Sequence, residues 1–216
     1  MIGVSRRKML LAGVVTAGAV MAGTTPVLST AAPQKPTAIA YRDLWRKLWE
    51  DHITWTRVVI IMILDGRPPA ETNAYVARLL QNPQDMAAAL QPFYDDAARV
   101  YGSLVTDHLL VAKQILDTAH IGSDIGGLVQ QWYQNAHAIA VQMNSMNPKL
   151  WPLQEAEKMW DDHLQATLEE ATDHLSSNYT AEISAYDNVH ALALEMADFF
   201  SDGVIAQFPQ FFRGKA

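Results

Sequence analysis

The sequence predicts an all-α protein, an antiparallel bundle of about four to five long helices with short helical insertions, in a single domain over residues 41–210. Two observations support this prediction. Apolar residues recur every three or four positions in nearly every segment after residue 40, and no stretch alternates convincingly between apolar and polar residues. Clusters of glycine and proline fall between these segments, where helices are expected to end.

Seven helical segments follow from this periodicity and its interruptions. The first is expected to end at the turn formed by residues 65–69 (DGRPP). Asn82 and Pro83 are expected to cap and begin the third segment, and Ser123 to cap the fifth. The predicted ranges are 41–64, 72–80, 83–90, 92–120, 123–146, 153–176 and 179–208.

The N-terminus resembles a bacterial twin-arginine export signal over residues 1–31. Arg6 and Arg7 precede an apolar run to about Ala22, and small residues before Ala32 offer a cleavage site. An ordinary secretory signal with two arginines is the alternative, and a retained anchor is disfavoured because a span needs about 20 apolar residues. We therefore expect a periplasmic or secreted protein, passed through the twin-arginine machinery, with no stable membrane anchor after cleavage. Residues 32–40 are expected to form a flexible leader.

Composition restricts the partners and ligands. The formal net charge is −7, which argues against nucleic acid or anionic lipid as a partner, since both are polyanions. The chain has no cysteine, which excludes disulfides, thiolate metal sites and covalent haem attachment through cysteine. Imidazoles, carboxylates and methionine thioethers remain as metal ligands.

A tryptophan–histidine–threonine pattern occurs twice. Residues 49–56 (WEDHITWT) return as residues 160–167 (WDDHLQAT), and residues 106–109 (TDHL) are a shorter echo. Positions i, i+3 and i+7 share one face of a helix, so each tryptophan, histidine and threonine would point the same way. The apolar seams place His52, His108 and His190 inward and His163 at the edge of the core. Buried imidazoles need partners, so a metal or cofactor site inside the bundle is the leading hypothesis.

The predicted metal site combines these histidines with nearby carboxylates. Imidazoles would be the ligands, and carboxylates would serve as ligands or as groups that orient them. Asp187 and His190, at i and i+3, share a face and could bind one ion together. Ligands of this kind bind Zn, Cu or Fe, and they do not indicate which of these metals is present. The full predicted set is His52, His108, His163, His190, Glu50, Asp107, Asp162, Glu170 and Asp187.

Two alternatives stay open. The same residues could form a hydrogen-bonded His–Asp layer in a cofactor-free structural or interaction protein, or two histidines could hold a non-covalent haem. A standard di-iron site lacks its second carboxylate-x-x-His pair. No His-Glu-x-x-His motif, glycine-rich phosphate loop or nucleophile elbow is present, so the sequence names no reaction and leaves open whether the protein is an enzyme.

Several short motifs also give the sequence a resemblance to a group of known proteins. Its motifs are spread from Leu48 to Phe208: WEDH at 49–52, WTR at 55–57, NP at 82–83, PFY at 92–94, DHL at 107–109, WY-x-NA at 132–136, YD at 186–187 and MAD at 196–198. In these the chain resembles a group of small, uncharacterised helical bacterial proteins, some labelled acetylglutamate kinase. The label has no support here, since the chain lacks the glycine-rich nucleotide site and α/β pattern of an amino-acid kinase. The resemblance implies an all-α fold and no activity, and it directs attention to His52, His108 and Asp187.

Overall fold

The computed structural model of the protein describes residues 35–213, and this region is all-helical. Within it lie seven α-helices and one short 3₁₀ helix. Their bounds are α1 Ala38–Leu64, α2 Pro69–Leu79, α3 Asn82–Tyr94, α4 Asp96–His120, α5 Gly126–Met146, α6 Leu153–Leu175, α7 Tyr179–Gln207 and the 3₁₀ helix Pro209–Phe211. The all-α prediction is therefore confirmed for the described part of the chain.

The helix boundaries match the periodicity except between α3 and α4. Pro92 was expected to begin a long helix, but α3 runs through it and ends at Tyr94. The break falls at Asp95, whose φ of 46° lies in the left-handed region that aspartate tolerates better than most residues. Two predicted caps are also wrong: Asn82 is the first residue of α3, and the α5 backbone amide of Gly126 donates to the Asp124 carboxylate rather than to a serine.

The helices pack around a main hydrophobic core, and a smaller cluster of buried apolar residues lies between α1, α2 and α4. Helix α1 contacts α2, α3, α4, α6 and α7, and the chain neighbours α3 and α4, α4 and α5, α5 and α6, and α6 and α7 contact one another. Large aromatic side chains fill the centre and are fully buried: Trp45, Trp49, Tyr101, Trp151, Trp160 and Phe200. One close approach depends on a glycine, since a Cβ atom on Gly203 would lie 2.1 Å from the Trp151 indole nitrogen. That nitrogen donates to the Phe199 carbonyl at 3.0 Å, which ties the loop before α6 to α7.

The first described residues are bound to the last ones. Thr37 caps α1 by accepting a hydrogen bond from the Ala40 amide at 3.0 Å, and the Arg213 amide donates to the Pro36 carbonyl at 2.9 Å. Residues 38–40, which were predicted to belong to a flexible leader, are instead the first residues of α1. The predicted signal at residues 1–31 lies outside the described residues. Within the described region, no helix has the length and apolarity needed to cross a membrane.

Candidate functional site

Three histidines from three helices meet in the core. His52 of α1, His108 of α4 and His163 of α6 are each at most 2% exposed. The ring centroids of His52 and His163 are 5.8 Å apart, and Trp160 lies beside both His163 and His108. These three residues, with the surrounding rings of Trp49, Trp132 and Trp160, are called the histidine cluster below.

The two copies of the tryptophan–histidine–threonine pattern face each other across this cluster. The indoles of Trp49 and Trp160 have centroids 5.7 Å apart. In each copy the threonine hydroxyl donates to the carbonyl of the histidine four residues earlier, at 2.8 Å. The repeated spacing thus places equivalent side chains of α1 and α6 in one layer.

Asparagine side chains fix two of the three imidazoles. Nδ1 of His52 lies 2.9 Å from Oδ1 of Asn82, whose amide nitrogen donates to the Leu48 carbonyl at 2.8 Å. Nδ1 of His108 lies 3.1 Å from Oδ1 of Asn135, whose amide nitrogen donates to the Leu104 carbonyl at 3.1 Å.

In both cases the second acceptor is the carbonyl four residues before the histidine, so the two arrangements are equivalent. An asparagine oxygen only accepts, so each imidazole carries its proton on Nδ1 and keeps its lone pair on Nε2.

The third imidazole lacks such an anchor. Nδ1 of His163 is buried and has no hydrogen-bond partner, and the indole nitrogen of Trp49, whose ring centroid is 5.7 Å from that of His163, has none either. Buried polar atoms without partners are uncommon in folded proteins and cost about 1–3 kcal/mol each. The histidine cluster therefore holds unused hydrogen-bonding capacity at its centre.

Burial keeps all three imidazoles neutral at neutral pH. It lowers the pKa of His52 to about 4, against the weaker opposing effect of the hydrogen bond to Asn82. It lowers the pKa of His163 to about 3, with a further contribution from nearby His52. The pKa of His108 lies well below its ordinary value, first because of burial and then because of the other two histidines. Neutral imidazole is the form that binds metals.

The other predicted ligands do not join the cluster. The prediction that His190 faces the core is wrong: its side chain is 41% exposed and lies 3.5 Å from Glu50, itself 52% exposed. Asp107 and Asp187 are exposed, and Asp162 pairs with Lys158 on the surface. His163, expected at the edge, is instead buried. The seam of α7 was misplaced because its buried position near the N-terminus is a charged residue, Glu182, while the apolar Ile183 beside it is exposed.

Glu170 belongs to a second buried polar group. Its carboxylate accepts a hydrogen bond from Arg57 at 2.7 Å, and the same guanidinium lies 2.7 Å from the carboxylate of Glu182. The side chains of Glu170 and Glu182 are 2% and 5% exposed. The Arg57 guanidinium also lies over the Tyr186 ring, 4.5 Å from its centroid. Together with His174, these residues form what we call the charge cluster.

His174 extends the charge cluster to the turn after α1. Its Nε2 lies 3.1 Å from Oδ1 of Asp65, and its Nδ1 lies 3.2 Å from Oε2 of Glu182. The second contact is within ion-pair range but lacks hydrogen-bond geometry. Burial raises the pKa of Glu170 to about 7, although Arg57 opposes the shift. The carboxyl that sequence analysis offered as a metal ligand is thus engaged by an arginine.

Among the described residues, no group of three or more histidine, aspartate or glutamate side chains is arranged so that it could hold a metal ion. Comparison with known proteins adds no assignment: no family model, no curated protein and no solved structure matches the chain. The resemblance drawn from its motifs stays a prediction.

Sequence analysis missed both asparagines. Asn82 was interpreted as a helix cap because it precedes proline, and Asn135 was noted only within the motif at 132–136, without a role. A signal was present: Asn135 lies on α5 between Trp132 and Ile139, which are both buried, where a purely structural seam would favour an apolar residue. An amide on a core seam indicates a buried polar partner nearby.

Proposed function

We propose that the protein binds a transition-metal ion at the histidine cluster, through His52, His108 and His163. One observation carries the proposal: two of the three imidazoles are held at Nδ1 by asparagines that are themselves anchored to the backbone. Metal-binding histidines typically donate their other ring nitrogen to such an acceptor, which fixes the tautomer and the ring orientation. A buried structural histidine needs a partner, but it does not need this repeated, doubly anchored arrangement.

The spacing of the His52 and His163 rings is compatible with a shared ion. Two imidazoles that bind one tetrahedral ion through bonds of about 2.1 Å have ring centroids about 5 Å apart. The centroids of His52 and His163 are 5.8 Å apart. Because the donors are not assembled into a site, loading requires rings to rotate, and the ring that no hydrogen bond at Nδ1 restrains is that of His163.

The ligand set restricts which metals could bind and does not identify a reaction. Three neutral imidazoles without a carboxylate suit Zn, Cu or Fe rather than Mg or Ca, which prefer oxygen. We further infer an antiparallel arrangement of the five long helices and export of the protein, on the sequence evidence given above. The surface carboxylates Glu50, Asp107, Asp162 and Asp187 have no part in this proposal.

Elemental analysis and metal titration test the proposal. We expect protein purified without a tag or chelator to take up about one equivalent of Zn²⁺, Cu²⁺ or Co²⁺, with Co²⁺ giving visible absorption bands. The His108→Ala variant should lose this uptake while keeping its helical circular dichroism. His137→Ala is the matched control, because that side chain is 62% exposed and paired only with Glu157. Folded protein that takes up none of these ions would refute metal binding.

The second candidate is a cofactor-free structural or interaction protein in which the histidine cluster is a polar layer. It is favoured by the fact that asparagines already satisfy Nδ1 of two rings and that no assembled metal-binding group is found among the described residues. Haem finds no comparable support. The cavity lined by Thr56, Thr167 and Trp132 has a volume of ≈ 30 Å³, room for about one water molecule.

A further inference from the structure

The beginning of α7 is held to the protein almost entirely by charged and aromatic contacts. Among residues 179–188, only Glu182 is buried, while Tyr179 and Ile183 are each 55% exposed. The buried apolar residues of α7 begin at Val189, and within residues 179–188 the half-buried Tyr186 ring also packs against the core. Segments with few buried apolar contacts open at low free-energy cost. The attachment of residues 179–188 therefore depends on the charge cluster.

Three residues of α7 make that attachment. The Glu182 carboxylate lies 2.7 Å from Arg57 of α1 and 3.2 Å from His174 of α6. The Tyr186 ring lies under the Arg57 guanidinium, and the Tyr179 ring packs edge-on against the His174 imidazole, with centroids 5.8 Å apart. Every one of these contacts involves Arg57 or His174. A change in the charge of the cluster therefore acts directly on this segment.

The charges in the cluster do not balance. One permanent cation, Arg57, faces two buried carboxylates, Glu170 and Glu182. Asp65, which contacts His174 from the other side, is 49% exposed and is therefore solvated. With both glutamates ionised, the two buried carboxylates exceed the single arginine by one negative charge. Uncompensated buried charge is costly, and one proton on Glu170 removes it.

We propose that the charge cluster is a proton-binding site, and that binding of one proton holds residues 179–188 of α7 against α1 and α6. Loss of that proton leaves two carboxylates to share one guanidinium, and the segment detaches more readily. The titratable and charged groups that face Glu170 and its partners are Arg57 and Asp65 from α1 and its end, His174 from α6, and Glu182, Tyr179 and Tyr186 from α7.

The direction of the pH effect follows from Glu170. Burial raises the pKa of this carboxyl to about 7, above its ordinary value of 4.5. The attached state therefore binds the proton more tightly than the detached state, and attachment weakens as the pH rises between these two values and levels off above the higher one. A single proton changes the attachment equilibrium by at most about tenfold per pH unit.

Hydrogen exchange measured from pH 5 to pH 8 on the folded protein tests this proposal. After correction for intrinsic exchange, protection of the amides of residues 183–188 should fall several-fold per unit up to about pH 7, and protection of residues 193–205 should not. Glu170→Gln keeps the hydrogen-bond acceptor for Arg57 and removes the charge, so protection should be high and independent of pH. Glu169→Gln, the exposed neighbour on α6, should behave as the unaltered protein does.

A carboxyl ¹³C NMR titration supplies the second measurement. We expect one glutamate to titrate near neutral pH in the unaltered protein and none to do so in Glu170→Gln. A Glu170 that titrates at its ordinary value, with no other group of the cluster taking up the proton, would overturn the proposal. So would protection that falls with pH equally in the unaltered protein and in Glu170→Gln.

Discussion

The histidine cluster and the charge cluster are both buried, and they stabilise polar groups away from water in opposite ways. The first contains neutral imidazoles that asparagine amides orient, and burial lowers their pKa. The second contains ionised groups held by one arginine, and burial raises the pKa of Glu170. Neutral, oriented lone pairs suit the binding of a Lewis acid, whereas an excess buried charge suits the binding of a proton. Substitutions in each cluster, and changes of pH, separate these two behaviours.

The largest effect is expected from removal of the arginine in the charge cluster. Arg57→Leu would leave Glu170 and Glu182 buried without a cation, and breaking a buried ion pair on one side costs about 3–5 kcal/mol. Arg46→Leu is the matched control on the same helix: its bidentate pair with Asp198 is largely exposed to solvent, so its loss should change stability little. Urea denaturation measures both.

A double variant checks the explanation for Arg57. In Arg57→Leu/Glu170→Gln, one of the two unpaired carboxylates becomes neutral, so part of the lost stability should return. If Arg57→Leu and Arg46→Leu destabilised the protein equally, the charge cluster would not be the strongly coupled buried group described here.

An intermediate effect is expected in the histidine cluster. Asn82→Ala removes the acceptor for Nδ1 of His52 and the donor to the Leu48 carbonyl, and an unsatisfied buried group costs about 1–3 kcal/mol. Asn135→Ala should cost less, because Asn135 is only partly buried whereas Asn82 is 1% exposed. Asn188→Ala, at an exposed position of α7, should be nearly neutral.

Nitrogen NMR of the imidazoles reports the orienting role separately from stability. In the unaltered protein both His52 and His108 should be protonated at Nδ1. Asn82→Ala should change the tautomer of His52 alone. An unchanged tautomer in that variant would show that the asparagine does not set the position of the proton, and it would remove the main support for the metal proposal.

The sequence predicted the helices far better than it predicted which residues meet. Apolar spacing locates α1, α5, α6 and α7, and the end of α4, to within three residues because each of these helices carries an apolar face that must be buried. The same reasoning failed where a polar residue occupies the buried face. Glu182 interrupts the apolar seam of α7 and moved the predicted inward face to His190, which is exposed.

The hydrogen-bond and ion-pair partners across helices could not be predicted from the sequence. Asn82 accepts a hydrogen bond from His52, and Arg57 forms ion pairs with Glu170 of α6 and Glu182 of α7. Both interactions depend on how the helices are rotated relative to one another, and the periodicity within one helix does not determine that rotation. The repeated tryptophan–histidine–threonine pattern was more informative. Its two copies, on α1 and α6, face each other through Trp49 and Trp160.

The smallest expected effect, and the one that compares the clusters most directly, is the change that Glu170→Gln makes in the pH dependence of global stability. His52 and His163 have a lower pKa in the folded protein than in the unfolded chain, so the stability they contribute is fully present above about pH 6.5 and is lost as the pH falls towards their folded values of about 4 and about 3. Glu170 has a raised pKa, so its contribution is present in acid and is lost as the pH rises through about 7.

Between pH 4.5 and 6.5 the two clusters therefore oppose each other, and the histidines prevail because they are more numerous. We expect the free energy of unfolding, measured by urea denaturation at a series of pH values, to fall as the solution is acidified through this range. Glu170→Gln should make that fall steeper, by up to about 1.4 kcal/mol per pH unit, since it removes the one proton that opposes it. Glu155→Gln, exposed at the start of α6, should leave the slope unchanged. If Glu170→Gln also left the slope unchanged, Glu170 would take up no proton in this range. The two clusters would then differ in geometry alone.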